Sequence, residues 1–277
     1  MSEAVLITGC SSGIGRALAQ EFHRRGRLVY ATARRVETLD DLQARGIRTA
    51  PLDVTDEASI SGTMARLQED GATVDVLVNN AGYGAMGPLA ELPIDELRQQ
   101  FETNLFAVAA MIQAVLPGML RRRSGRIVNI GSVSGVLVTP FAGPYCASKA
   151  AVHALSDSLR MELAPFGIRV IEVQPGAIQS EFGSTAHAGV ERRREQVSLY
   201  APVADAIAAR SQASQERATP TEALARKLAD AALAQNPRPL VRIGRGSRLF
   251  PLLERWLPTG VLDRVLSRRF GLDRLRP

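Results

Sequence analysis

Cysteine, histidine and lysine are all scarce in this 277-residue chain. Two cysteines, Cys10 and Cys146, cannot staple a disulfide scaffold or fill a four-thiolate zinc site. Three histidines, His23, His153 and His187, fall at no ligand spacing, so no metal is expected. Long apolar runs are missing as well. No stretch reaches the roughly 18 uninterrupted apolar residues of a membrane-spanning helix, and the nearest one, residues 105–120, contains Gln113 and is broken by Pro117. The start, Met1-Ser2-Glu3, has no basic segment and leads into only a four-residue apolar run, which predicts no signal peptide. These absences favour the cytoplasm. With 45% hydrophobic and 22% charged residues, the chain is neither fibrous nor fully disordered. Its length allows one or two domains and a core that needs no cross-links.

Charge is uneven. The net value is +6, yet residues 237–277 hold ten arginines against three acids, so the rest of the chain is close to neutral. A basic tail on a neutral body does not read as a nucleic-acid-binding face. The basic residues are arginine throughout, apart from Lys149 and Lys227.

Strand and helix signals alternate from the start. Residues 4–7 read as a buried strand, 13–25 as a helix stopped by Gly26, and 28–33 as a second strand. Leu52 leads into a turn at Asp53. Strands follow at 74–78, 126–130, 169–173 and 240–243, with helices at 94–116 and 145–163. Thr219-Pro220-Thr221-Glu222 has the form of a capping box with proline at the first helical position, opening a helix to about Ala234. This alternation predicts right-handed βαβ units: an α/β fold whose doubly wound parallel sheet, Rossmann-type and of about seven strands, carries helices on both faces. Residues 184–220 are polar and without a strand, a lid or insertion in one reading and a pair of surface helices in the other. The remaining boundaries are a nucleotide-binding domain over 1–246 and a basic, amphipathic helical extension over 247–277, interrupted at Pro258-Thr259-Gly260.

The first βα turn reads Thr8-Gly9-Cys10-Ser11-Ser12-Gly13-Ile14-Gly15. Between a strand and a helix, such glycines let the backbone approach a pyrophosphate while the helix N-terminus offers free N–H groups. The second strand ends Ala31-Thr32-Ala33-Arg34-Arg35, with no acid to accept a ribose 2′-hydroxyl, whereas Arg34 can grip a 2′-phosphate. This favours NADP over NAD, with Ser12 as a further donor to the phosphate. Tyr145 and Lys149, four apart on one helix face, follow Ser132 by thirteen residues or more. A phenol is a poor acid/base at neutral pH unless a nearby cation favours its ionised form. Lys149 supplies that cation, and Ser132 can donate to a carbonyl oxygen.

The spacing Thr-Gly-x-x-x-Gly-x-Gly, with Asn80-Ala81-Gly82 and Tyr145-x-x-x-Lys149, resembles the short-chain dehydrogenase/reductase family. The glycine turn, the Tyr30–Arg34 strand end and the long C-terminus further resemble its hydroxysteroid and retinol dehydrogenase members. The resemblance implies an NADP-dependent oxidoreductase acting on a carbonyl/alcohol pair, with Asn104, Ser132, Tyr145 and Lys149 as catalytic residues. It implies cofactor contacts from Gly9, Ser11, Ser12, Gly13, Ile14, Gly15, Arg34, Asp53, Val54, Asn80, Ala81, Gly82, Tyr145, Lys149, Pro175, Gly176 and Ile178. Asn104 would act through its backbone at a helix kink, holding a proton-relaying water, and Ser180 replaces the family's threonine. By family position Tyr83, Met86, Val133, Val136, Phe141 and Phe182 surround the reacting carbon, an apolar set that suits a lipophilic substrate. A 3-oxoacyl-thioester reductase and a catalytically silent NADP-binding regulator are the alternatives. The resemblance also implies a homodimer or homotetramer paired through the 94–116 and tyrosine helices. The tail reads as a cap over the substrate entrance in preference to a peripheral membrane contact.

Overall fold

In a computed structural model, residues 2–194 and 198–275 are described. The elements run β1 (Ser2–Ile7), α1 (Gly13–Arg24), β2 (Leu28–Ala33), a single turn α2 (Asp40–Ala44), β3 (Arg48–Pro51), α3 (Glu57–Glu69), β4 (Ala72–Asn79), α4 (Ile94–Phe101), α5 (Ala107–Arg122) and β5 (Gly125–Ile130). They continue with α6 (Gly143–Leu163), β6 (Ile168–Pro175), α7 (Phe182–Arg192), α8 (Ala204–Gln212), α9 (Thr221–Leu233), β7 (Leu240–Ile243), α10 (Leu249–Trp256) and α11 (Thr259–Arg269).

All seven strands are parallel and lie in the order β3-β2-β1-β4-β5-β6-β7. The chain winds outward from β1, crosses back to β4 and winds outward the other way. Every strand therefore ends on the same rim, and a crevice opens where the winding reverses, between β1 and β4. Central strands covered on both faces need continuous apolar runs, and Ala4 to Ile7 supplies one. On one face, α1 and α9 lay Ala17, Leu18 and Phe22 beside Leu224, Leu228 and Ala232. On the other, α3 and α5 bury Ile60, Leu67, Met111, Ile112 and Met119. A third apolar cluster, with Phe141, Ala186, Val190, Ile207 and Phe270, ties α7 and α8 to the C-terminus.

Two expectations change. The helix from Ile94 does not stop near residue 116 but runs through Pro117 to Arg122, 29 residues in all. Pro117 and Gln113 face solvent, so the carbonyl that the proline leaves without a donor is free to bond water. That helix is long and apolar enough to cross a membrane, although its inner face, Val108 to Met119, is spent on the sheet. Thr219 is not a cap. Its hydroxyl accepts from the Arg245 N–H at 3.2 Å, its own N–H donates to Ala177, and α9 starts one residue after Pro220. The polar stretch after β6 folds into α7 and α8, which stand over the strand rim.

Candidate active site

A cleft of about 1410 Å³ follows the rim from the glycine-rich turn to the C-terminal helices. Its first wall is the turn between β1 and α1. Gly9 has φ +72°, and a Cβ there would stand 2.8 Å from the Ala81 Cα. A Cβ on Gly15 would meet the Gly9 carbonyl oxygen at 2.3 Å and the Asn80 Nδ2 at 2.5 Å. Backbone fills the space that side chains would occupy, as a cradle for a pyrophosphate requires. The turn is pinned from β4: Asn80 donates to the carbonyls of Thr8 and Gly9, both at 2.9 Å, and the Thr8 hydroxyl accepts from the Asn80 and Ala81 N–H groups.

Gly9, Ser11, Ser12, Gly13, Ile14, Arg34, Asp53, Val54, Asn80, Ala81, Gly82, Pro175, Gly176 and Ile178 all border the cleft. Gly15 does not; it lies under the turn and lets it close. Arg34 is exposed at the β2 end, near enough to help hold the Asp53 carboxyl below its ordinary range, although Thr55 is the main cause. Ser180, where the family has threonine, packs against Gly13.

At the other end Ser132, Tyr145 and Lys149 share the floor. Ser132 follows β5; its oxygen accepts from the Ser134 N–H at 3.1 Å, and its hydroxyl is within hydrogen-bonding reach of the Tyr145 phenol. Tyr145 stands on the first turn of α6, its ring 5.0 Å from that of Phe182. Burial pushes its phenol up to about 12, partly offset by the Ser132 hydroxyl. One turn on, the Lys149 Nζ lies 6.0 Å from the tyrosine ring centre and donates to the Ile130 carbonyl at 2.7 Å. Burial draws its ammonium down to about 8. Cys146 and Cys10 are buried thiols pushed up by desolvation, which makes both inert.

Asn104 does not line the cleft. It lies in a π-helical turn, Glu102–Phe106, between α4 and α5. Its Nδ2 donates to the Tyr83 carbonyl at 3.0 Å and to the Ser148 hydroxyl at 3.1 Å, while its Oδ1 accepts from the Tyr83 N–H at 3.1 Å. The side chain is consumed by these bonds, and only the irregular main chain of the π turn is left for the relay. Of the six apolar positions expected around the reacting carbon, Tyr83, Met86, Val133 and Phe182 line the cleft. Val136 and Phe141 do not. Phe141, at φ +64°, turns away to meet Tyr200 edge to face, and Leu137 and Thr139 take their place.

Two residues escaped the sequence reading. Arg210 of α8 enters the cleft wall beside Thr139; a lone arginine in an arginine-rich chain gives no signal. His153, two residues beyond the tyrosine helix's second turn, accepts the Ser132 N–H at its Nε2, 3.3 Å away, and so supports the Ser132 turn. Burial pushes its imidazole down to about 4, reinforced by Lys149 and Arg242 against Asp157, while the Glu172 carboxyl 3.4 Å away is itself pushed up by burial. The unfolded chain binds this proton near 6.5 and the folded chain only near 4. Stability is therefore intact above 6.5 and erodes as pH falls towards 4, by about 3 kcal/mol. His153→Gln is expected to flatten that slope in denaturant titrations between these pH values; equal acid sensitivity in both proteins would refute the buried-neutral assignment.

A doubly wound sheet with a glycine cradle at its switch point and a Ser–Tyr–Lys floor defines a dinucleotide-dependent enzyme of the α/β class. Residues 3–190 match the sequence model of the short chain dehydrogenase family, and the chain belongs to that family, which places it among the oxidoreductases. It is 42% identical over 215 residues to a short-chain dehydrogenase of Penicillium ochrochloron, covering 76% of this chain and 77% of the relative. It is 29% identical over 274 residues to the NADPH-dependent 3-dehydrocapnine reductase of Ornithobacterium rhinotracheale, covering 95% of each. Some other curated relatives are matched over just under two thirds of their length, 61% to 66%, and others over 95% to 98%. A solved short-chain dehydrogenase from Streptomyces avermitilis is similar in fold, with a TM-score of 0.74 and 33% identity over 99% of this chain and 96% of that one.

Proposed function

We propose that this protein transfers hydride between NADP(H) and a carbonyl/alcohol pair on a lipophilic small molecule. The observation that carries the reading is the convergence of Ser132, Tyr145 and Lys149 at the floor of a cleft that begins at the glycine cradle. The bound nicotinamide supplies the hydride for reduction and accepts it for oxidation. Ser132 donates a hydrogen bond to the carbonyl oxygen and holds it in place. Tyr145, fully protonated at neutral pH, gives its proton to the oxygen as the alkoxide forms. Lys149 favours the phenolate that is left. Tyr83, Met86, Val133 and Phe182 keep water from the reacting carbon, and α10 and α11 extend the apolar wall through Leu253, Leu257, Leu262 and Leu266. That wall supports the tail as a cap on the substrate entrance.

Selection of NADP over NAD rests on Arg34, which has no ion-pair partner among the described residues and stands where a 2′-phosphate would lie; the NADPH-dependent relative points the same way. A charge-assisted pair of bonds is worth about 1.5–3 kcal/mol, so Arg34→Asp is expected to lower the NADPH/NADH ratio of kcat/KM by about 10²-fold. An unchanged ratio would remove Arg34 from cofactor selection. The reaction itself is tested by following NADPH absorbance against a panel of long-chain ketones, aldehydes and 3-oxoacyl thioesters. Turnover confined to the thioesters would favour the acyl-thioester alternative, and binding of NADPH without any turnover the silent-regulator alternative.

A further inference from the structure

The cleft wall facing the cofactor cradle carries a charge that hydride transfer leaves unused. Arg210 is only 7% exposed, yet it borders the cleft. Its Nε donates to the Thr139 hydroxyl at 2.8 Å, and its two terminal amino groups find neither a hydrogen bond nor a carboxylate among the described residues. Glu102, Glu181 and Glu216 share the same cleft but form no ion pair with it. A guanidinium left with only the cleft for contact with water, and with no counter-ion among the described residues, is costly, and proteins seldom keep one unless something pairs with it. The neighbours do not offset that cost. The nearby phenol of Tyr145 and thiol of Cys146 are both held neutral by burial, and the other charge close by is a second cation, Arg269 of α11. Desolvation is strong enough to pull Arg210 below the ordinary arginine range.

The position narrows what the missing counter-ion is. Phosphates of the dinucleotide belong at the far end, with the glycine turn and Arg34. Arg210 is at the tyrosine end, close enough for its charge to reach Tyr145, so the anion it faces arrives with the substrate. Beyond it, Leu253, Leu257, Leu262, Leu266 and Phe270 form an apolar wall. We propose that Arg210 anchors an oxyanion on the substrate, which makes the substrate an amphiphile: an anionic group near the reacting carbonyl and an alkyl chain laid along α10 and α11. Arg269 at the mouth adds attraction for the same charge. This rests on the hydride-transfer reading of the same cleft and deepens it.

The test is binding, so it stands apart from turnover. The full chain, saturated with NADP⁺, is titrated calorimetrically with octyl phosphate and with octanol. Wild type is expected to prefer the phosphate by about ten-fold or more, Arg210→Gln to lose that preference while its octanol affinity holds, and Arg210→Lys to retain part of it. Equal affinity of wild type for the two ligands would overturn the proposal, and so would an Arg210→Gln protein that weakens both alike, because that marks a purely structural role. The wild-type comparison decides the matter even where a variant does not fold. Turnover of a long-chain 3-oxo acid against its methyl ester gives the second readout. The acid is expected to lead by a similar factor, and a preferred ester would overturn the anchor. A protein that binds the phosphate selectively but reduces no carbonyl would keep the anchor and refute the hydride-transfer reading instead.

Discussion

Tyr145→Phe is expected to lower kcat/KM for carbonyl reduction by ~10²–10⁴, the range that a positioned general acid contributes, with NADPH affinity unchanged. The substitution removes one oxygen and leaves the ring. The contact with Phe182 at 5.0 Å therefore survives, and α6 keeps the Lys149 bond to Ile130. What disappears is the proton that the new alkoxide needs. Burial holds the phenol at about 12, so at neutral pH it is always charged with that proton and always able to give it. Ser132 cannot replace it, because a hydroxyl that hydrogen-bonds an oxyanion stabilises it without neutralising it. Single-turnover kinetics with a reactive ketone, beside NADPH titration by fluorescence, separate the two effects. Reduction at the wild-type rate would leave Tyr145 as a wall residue and the mechanism without its acid.

What could be read from the chain was local, and what could not was made by folding. The cradle of Gly9 to Gly15 lies within one turn, so its residues announce both its geometry and its ligand. The doubly wound parallel sheet followed from the alternation of strand and helix signals, because parallel strands with right-handed crossovers have few ways to assemble. Asn104 was visible as a residue, but the use of its side chain was not. The bonds to Tyr83 and Ser148 join three elements and appear only once the π turn rotates the amide inward. Thr219 looked like a cap because the motif is short, and the bridge between residues 177 and 245 took its hydroxyl for another purpose. Arg210 was hidden for the opposite reason: its meaning lies in what is absent around it, and an unpaired charge leaves no trace in the sequence. Phe141 was placed by analogy, and a positive φ moved it to Tyr200.

Lys149→Met is expected to make the protein more stable and nearly inactive. The folded state holds this ammonium with its pKa drawn from 10.5 down to about 8 by burial, so at pH 7 it carries a charge at a cost of about 3 kcal/mol. Methionine removes the charge but orphans the Ile130 carbonyl, which returns about 1 kcal/mol. The net gain of about 2 kcal/mol corresponds to a rise of a few degrees in Tm. The sign with pH is fixed. Below about 8 both states of the wild type are protonated and the penalty is complete; between 8 and 10.5 the folded chain releases its proton first, so wild-type stability climbs and the advantage of the variant shrinks. Activity should move the other way. Without the cation one turn from Tyr145, only the Ser132 hydroxyl and the charge of Arg210 are left to favour the phenolate, and kcat is expected to fall by about 10² or more. Lys149→Arg isolates the reason for lysine in a chain whose basic residues, apart from this one and Lys227, are all arginine. A guanidinium keeps the charge, but it does not release a proton, and its larger planar head must be housed where Lys149 is already buried. It should therefore fail in both respects, less stable than wild type and about as slow as the methionine variant. An arginine variant with near-normal kcat would show that charge alone suffices, whereas a methionine variant less stable than wild type at pH 7 would show that the buried ammonium is not strained.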